Sequence, residues 1–185
     1  MSGLTPSQTV GPFFRIGLHW PAGGCVATNA EPRITLCGRL LDGDEVPVPD
    51  ALIEIWQADG QGSYHAAREH GFCGAGRCAV DDHGVFRFEI AKPGRVSLPD
   101  GRLQAPHINL LVLARGLLQH LYTRVYFAAD AAIHDDDVVL VCVPPARRAT
   151  LIAKPVGDDY VFDIHLQGEH ETVFFELYHL QKHIA

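Results

Sequence analysis

The sequence has no apolar run of the roughly 18 residues that a membrane-spanning helix needs. Its opening residues, MSGLTPSQTVGPFFRIGLHW, lack a basic stretch followed by an apolar one, so no secretory signal is expected. Basic charge is also short: 15 Lys and Arg stand against 22 Asp and Glu, a formal charge of −7. Affinity for a nucleic-acid backbone rests on clustered Lys and Arg, so that class of partner is excluded. The overall field will not draw an anionic ligand inward either; an anion needs a particular arginine. Cysteine is sparse and odd in number, and Cys25, Cys37, Cys73, Cys78 and Cys142 read as reduced thiols of a cytoplasmic protein. Cys73 and Cys78 are spaced too widely for the usual zinc pair, and no second pair supports them. The chain has no Gly-x-Ser-x-Gly elbow and no serine with an evident His and Asp partner, which argues against nucleophilic hydrolysis.

What is present is a globular composition. Of 185 residues, 47% are hydrophobic and 20% charged, which suits one domain with an ordinary core. Residues 1–32 show no periodicity and are dense in Pro, Gly and small polar residues, as in an extended arm laid on a partner. From residue 33 to 185, short apolar runs alternate with turn signals, giving a single core domain. Strands are expected at 33–41, 51–57, 85–90, 107–114, 121–127, 138–143, 150–153 and 160–166, with one short helix near 128–136. The 107–114 segment is apolar almost throughout, as where both faces are covered. Many short strands with little helix indicate an all-β sandwich or barrel. The irregular stretches 60–81 and 92–106 are long enough to be functional loops. Glycine-rich residues 71–77 precede no helix that could seat a phosphate, and read as a bend entering a strand.

Eleven histidines invite a metal reading. His65, His70, His134, His170, His179 and His183 fall in loops or the tail and read as solvated surface. His107 opens a buried strand, and position 109 shares its face, but Asn109 is a poor transition-metal ligand where a second imidazole would be a good one. Arg124 lies inside a strand and shares a face with His120, Tyr122 and Tyr126. Two readings of it stand open: an exposed polar face with a surface ion pair, or a guanidinium fixed between aromatics to meet a carboxylate.

Several segments together resemble the intradiol ring-cleaving dioxygenases. They are Thr5-Pro-Ser-Gln-Thr-Val-Gly-Pro12, Glu54-Ile-Trp56-Gln57-Ala-Asp59, Gly76-Arg77, Ala105-Pro-His107-Ile and His120-Leu-Tyr-Thr-Arg124-Val-Tyr-Phe. Arg147-Arg148-Ala-Thr-Leu-Ile-Ala153 and the closing run from Phe162 through Gln167-Gly168-Glu169 to Phe175 extend the likeness over essentially the whole chain. Within that family the chain is similar to the subunit without metal in two-chain members. The resemblance implies a β-sandwich in a hetero-oligomer with a related beta chain, which binds a non-haem ferric iron through two tyrosines and two histidines. It also implies intradiol cleavage of 3,4-dihydroxybenzoate by dioxygen, a step of aromatic catabolism. It further implies that Thr9, Gly11 and Pro12 lie against the substrate at the subunit boundary and that Arg124 helps hold its carboxylate.

The iron-binding pattern itself is broken. His107-Ile-Asn109 stands for His-x-His, Gln104 for an arginine, and Arg95-Val-Ser-Leu98 for a tyrosine-bearing segment after Pro93-Gly94. No tyrosine occurs in 68–72, where the other ligand is expected. The chain is therefore expected to hold no metal, with His107 a structural remnant. Two rivals are a stand-alone binding or interaction sandwich, and a metalloenzyme built on His107 with Tyr122 or Tyr126.

Overall fold

Alternating polar and apolar residues in this sequence do form strands. The computed structural model describes residues 5–20, 22–26, 33–64 and 73–176. Strand β1 (Arg33–Leu41) pairs antiparallel through Arg33–Arg39 with β4 (Val85–Ala91), and on its other side with β10 (Asp159–Val161) and β11 (Ile164–His165), both parallel. From β10 the path continues through β9 (Ile152–Val156), β8 (Leu121–Phe127), β7 (His107–Leu113) and β2 (Leu52–Gln57) to β3 (Ala75–Ala79). A small ribbon, β5 (Val96–Ser97) with β6 (Leu103–Gln104), stands apart. The hydrogen-bonded path curls over one core, giving the β-sandwich that the sequence pattern implies.

The core faces follow the period of two. In β4, Phe86, Phe88 and Ile90 are buried while Val85, Arg87 and Glu89 face solvent. They meet Leu36 and Leu40 of β1, Ile53 and Ile55 of β2, Ile108, Leu110 and Val112 of β7, and Val125 and Phe127 of β8. Burying each large side chain contributes about 1.5–3 kcal/mol. The central pair β7–β8 is buried on its second face as well. There Tyr126 packs with Ala105, Leu140, Val143 and Leu151, contributed by loops and short 3-10 turns. That second face carries the polar groups of interest.

The path has two free ends, β3 and β4, and the arm closes the gap between them. Gly23 O accepts from Arg77 N at 2.8 Å, Val26 N donates to Glu89 O at 2.8 Å, and Glu89 N donates to Gly24 O at 2.8 Å. The approach is close enough to demand glycine. A Cβ on Gly23 would sit 2.6 Å from Arg77 O, and one on Gly76 would sit 2.5 Å from a methyl of Val26. Unpaired strand edges are thereby covered.

Several elements differ from expectation. Residues 138–143 are not a strand: Asp137 accepts backbone N–H bonds from Val139 and Leu140 at 3.0 and 2.8 Å, and bends this apolar run into the 3-10 turn Leu140–Cys142. Ala128–Asp136 is helical at the expected place, as two 3-10 pieces that meet at a kink at Asp130. The strand expected at 150–153 starts at Ile152, after the 3-10 turn Pro145–Leu151. The run 160–166 splits at Phe162 and Asp163 into β10 and β11. Strand β3 lies within the stretch 60–81 that reads as loop, and its Gly76 leaves room for Val26 of the arm root beside it. The arm is not wholly extended, because Phe13–Gly17 makes one short helix, α1. Its segment 27–32 lies outside the described residues, as does 65–72.

Candidate functional site

Register across β7 and β8 sets the site. His107 faces Tyr126, Asn109 faces Arg124, and Leu111 faces Tyr122. All four polar partners are buried: His107 is 1% exposed, Asn109 6%, Arg124 5% and Tyr126 0%. The exposed-face reading of Arg124 is therefore wrong; the strand's second face is covered by the 3-10 turns rather than by solvent. The guanidinium does lie in a tyrosine-lined setting, yet its Nη1 donates to Gln104 Oε1 at 2.8 Å. Its Nε is buried with no hydrogen-bond partner among the described residues.

A one-directional chain of hydrogen bonds fills the rest. Tyr122 Oη donates to Asn109 Oδ1. Asn109 Nδ2 reaches Tyr64 Oη at 2.9 Å and Trp56 O at 3.2 Å. Because a carbonyl can only accept, the 2.8 Å contact between His107 Nδ1 and Ala105 O makes Nδ1 the protonated nitrogen. Nε2 is then the acceptor for Tyr64 Oη at 3.2 Å. Behind this line, Tyr126 Oη donates to Asp137 Oδ1 at 3.0 Å, and Ala105 N donates to Asp137 Oδ2 at 2.9 Å. Asp137 thus caps the 3-10 turn, holds Tyr126 and supports the loop that ends at His107. Only its place before a short apolar run hinted at this role.

These groups do not suit a metal ion. Burial, with Arg124 next, holds the His107 ring far below the usual imidazole range, so it is neutral, but both its nitrogens are engaged. Burial pushes Tyr126 well above the ordinary phenol range, with Arg124 opposing and Asp137 adding. Burial likewise raises Tyr64. Ferric iron wants phenolate oxygen, and these phenols are held neutral beside a fixed cation. Tyr122 and Tyr126 point their protons at Asn109 and Asp137, so the set His107 with Tyr122 or Tyr126 makes no ligand cluster. Among the described residues, no group of three or more His, Cys, Asp or Glu side chains could hold a metal. Residues 68–72, where a ligand tyrosine was sought, lie outside them.

The arm residues lie elsewhere. Thr9, Gly11 and Pro12 are exposed, and space is open where a Gly11 Cβ would be. Thr9 Oγ1 accepts from Gly116 N at 2.8 Å, at the β7–β8 turn. The single chain therefore does not bring Thr9, Gly11 and Pro12 together with Arg124. Of the scattered histidines, His170 is exposed, but His134 is half-buried with its ring 5.9 Å from that of Tyr126. His65, His70, His179 and His183 lie outside the described residues. A groove of about 440 Å³ lined by Lys154, Asp163, His165 and His170 opens beside β9–β11, away from both sets.

The central strands thus carry His107, Asn109 and a buried hydrogen-bond chain, with no metal-holding cluster among the described residues. A family model described as "Dioxygenase" matches residues 25–168, and the chain belongs to the intradiol dioxygenase family. Within it the likeness is to the alpha-chain type. The chain is 41% identical to the protocatechuate 3,4-dioxygenase alpha chain of Burkholderia cepacia, over 94% of this chain and 97% of that one. It is 34% identical to the beta chain of the same enzyme, over 78% of this chain and 69% of that one. Among solved structures, the dioxygenase domain of a dioxygenase–carbohydrate-binding fusion from Streptomyces sp. SirexAA-E superposes with a TM-score of 0.61 at 25% identity, covering 89% of this chain and 98% of that domain.

Proposed function

We propose that this chain is the alpha subunit of a protocatechuate 3,4-dioxygenase, catalytically inert alone and completing a substrate pocket with a beta chain. The observation that carries the proposal is the near full-length likeness, in both directions, to an alpha chain of that enzyme. The lack of a metal-holding cluster among the described residues supports it, because such a chain needs a partner to supply the redox centre. On this reading the beta chain holds the ferric iron, which activates the catechol toward dioxygen for cleavage to 3-carboxy-cis,cis-muconate. No part of that chemistry runs through residues of this chain. Its own contribution is to shape and charge the pocket.

Two groups are proposed to face the substrate. The exposed arm segment with Thr9, Gly11 and Pro12 forms a wall: glycine admits an aromatic ring close to the backbone, and proline stiffens its neighbour. Arg124, buried beside Gln104 in this chain, is proposed as the cation for the benzoate carboxylate. The sparse and odd cysteine count supports placing the complex in the cytoplasm.

Reconstitution tests the proposal. The chain is purified alone and with an iron-bearing beta chain, and ring cleavage of protocatechuate is followed by oxygen uptake. Activity is expected only in the mixture, which should run as a hetero-oligomer. A stable solitary species that ignores the beta chain would instead favour a stand-alone binding sandwich.

A further inference from the structure

We infer that Asp50 is a positioning residue for the substrate-facing arm, a clasp that fixes where Thr9 and Gly11 stand. The inference rests on the proposed wall role of the arm and names what holds that wall in place. Asp50 lies between β1 and β2, remote from the buried hydrogen-bond chain, and uses its two carboxylate oxygens on different elements. Oδ1 is 3.6 Å from Arg15 Nη1 in helix α1, and Oδ2 is 3.2 Å from Arg115 Nη2 in the β7–β8 turn. Arg115 is next to a point where the arm is tied to the β7–β8 turn, and Arg15 is next to a turn bond that fixes Gly11 on α1. Gly116, following Arg115, donates its N–H to Thr9 Oγ1 at 2.8 Å. Phe14, preceding Arg15, donates its N–H to Gly11 O at 3.1 Å. One carboxylate therefore ties together the two points from which Thr9 and Gly11 hang.

Asp50 also occupies a conformation that few residues accept, with φ at +62°. Asp and Asn tolerate this left-handed region better than other side chains with a Cβ. The carboxylate is 31% exposed, so each ion pair alone is weak. Two pairs on one anion, with a hydrogen bond beside each, restrict the arm more than either does singly. Asp82, 4.0 Å from Arg15 and 92% exposed, adds a looser contact to the same arginine.

The test substitutes Asp50→Asn, which keeps the backbone preference and removes the charge. In the complex with an iron-bearing beta chain, KM for protocatechuate is expected to rise about fivefold, equivalent to about 1 kcal/mol, with kcat and iron content unchanged. Arg15→Gln should reproduce the rise, Arg15→Lys should largely restore the wild-type value, and the Asp50→Asn/Arg15→Gln pair should be no worse than the more severe single variant. In the full chain alone, tryptic cleavage after Arg15 should quicken in Asp50→Asn, since the clasp no longer holds α1. Deleting residues 1–12 separates the two levels. If the deletion raises KM and Asp50→Asn does not, the clasp is overturned and the wall stands. If neither changes KM, the wall is overturned, and the positioning role falls with it.

Discussion

Asn109 and Arg124 face each other across the β7–β8 pair, and their side chains are engaged by different neighbours. Asn109 binds Tyr122, Tyr64 and Trp56 O, while Arg124 binds Gln104. An amide and a guanidinium thus stand side by side at the centre of a buried face. Neither is a metal ligand, and the second repels a cation.

Restoring the missing imidazole should consequently not restore a metal. Asn109→His recreates the His-x-His spacing, but His107 stays hydrogen-bonded on both sides and the phenols stay neutral. The variant chain, purified alone, is expected to be colourless and free of iron by elemental analysis. Stoichiometric iron with a phenolate charge-transfer band would show that Asn109 alone bars the site.

His107 should make the folded chain sensitive to acid. Its folded pKa is depressed by burial, so below the unfolded value the unfolded chain binds more protons than the folded one. Its contribution is complete above pH of about 6.5 and is lost on acidification, by at most about 1.4 kcal/mol per pH unit. Urea midpoints at several pH values should fall between neutral and acidic solution. His107→Gln, which cannot titrate, should show a shallower fall; an unchanged slope would place the sensitivity elsewhere.

Arg124→Ala should act on substrate choice. A hydrogen bond to a charged group contributes about 1.5–3 kcal/mol, so protocatechuate binding to the complex should weaken about ten- to a hundredfold. Catechol, which lacks the carboxylate, should be affected much less, and lysine should recover only part of the loss. The measurement is kcat/KM for both substrates. Equal losses on both would make Arg124 a packing residue held for Gln104.

Asp137→Ala should be the most disruptive of these changes for stability. The carboxylate is fully buried and accepts from Ala105 N, Tyr126 Oη, Val139 N and Leu140 N. Leaving those donors unpaired should cost about 3 kcal/mol or more in chemical denaturation. Asp137→Asn, which keeps one acceptor oxygen, should lose less.

The strands with strict alternation were legible in the sequence. Residues 33–41 and 121–127 form β1 and β8 with the same bounds, since in each the sequence alternates between two side-chain sets that the period of two sends to opposite faces. The apolar run 138–143 misled, since periodicity cannot register a buried aspartate that turns the chain by accepting two amides. β3 was hidden because it is short and lacks large apolar residues, and its Gly76 makes room for Val26, distant in sequence. At the site, His107, Asn109 and Arg124 stood out by residue type and position, and Gln104 by its departure from the family pattern. Tyr64 and Asp137 did not, because their roles arise from loops brought together only by folding. Asp50 had no signal beyond a turn position just after Pro47 and Pro49.

The root of the arm at residues 23–26 has a mechanical consequence. Because it is hydrogen-bonded to both β3 and β4, the arm cannot lift away there without parting the sheet. Any swing of Thr9 must bend the chain ahead of Gly23, so the root behaves as a fixed pivot. Exchange of the whole N-terminal segment between two copies would require opening that seam. Exchange of only the tip requires no more than releasing its weaker surface contacts.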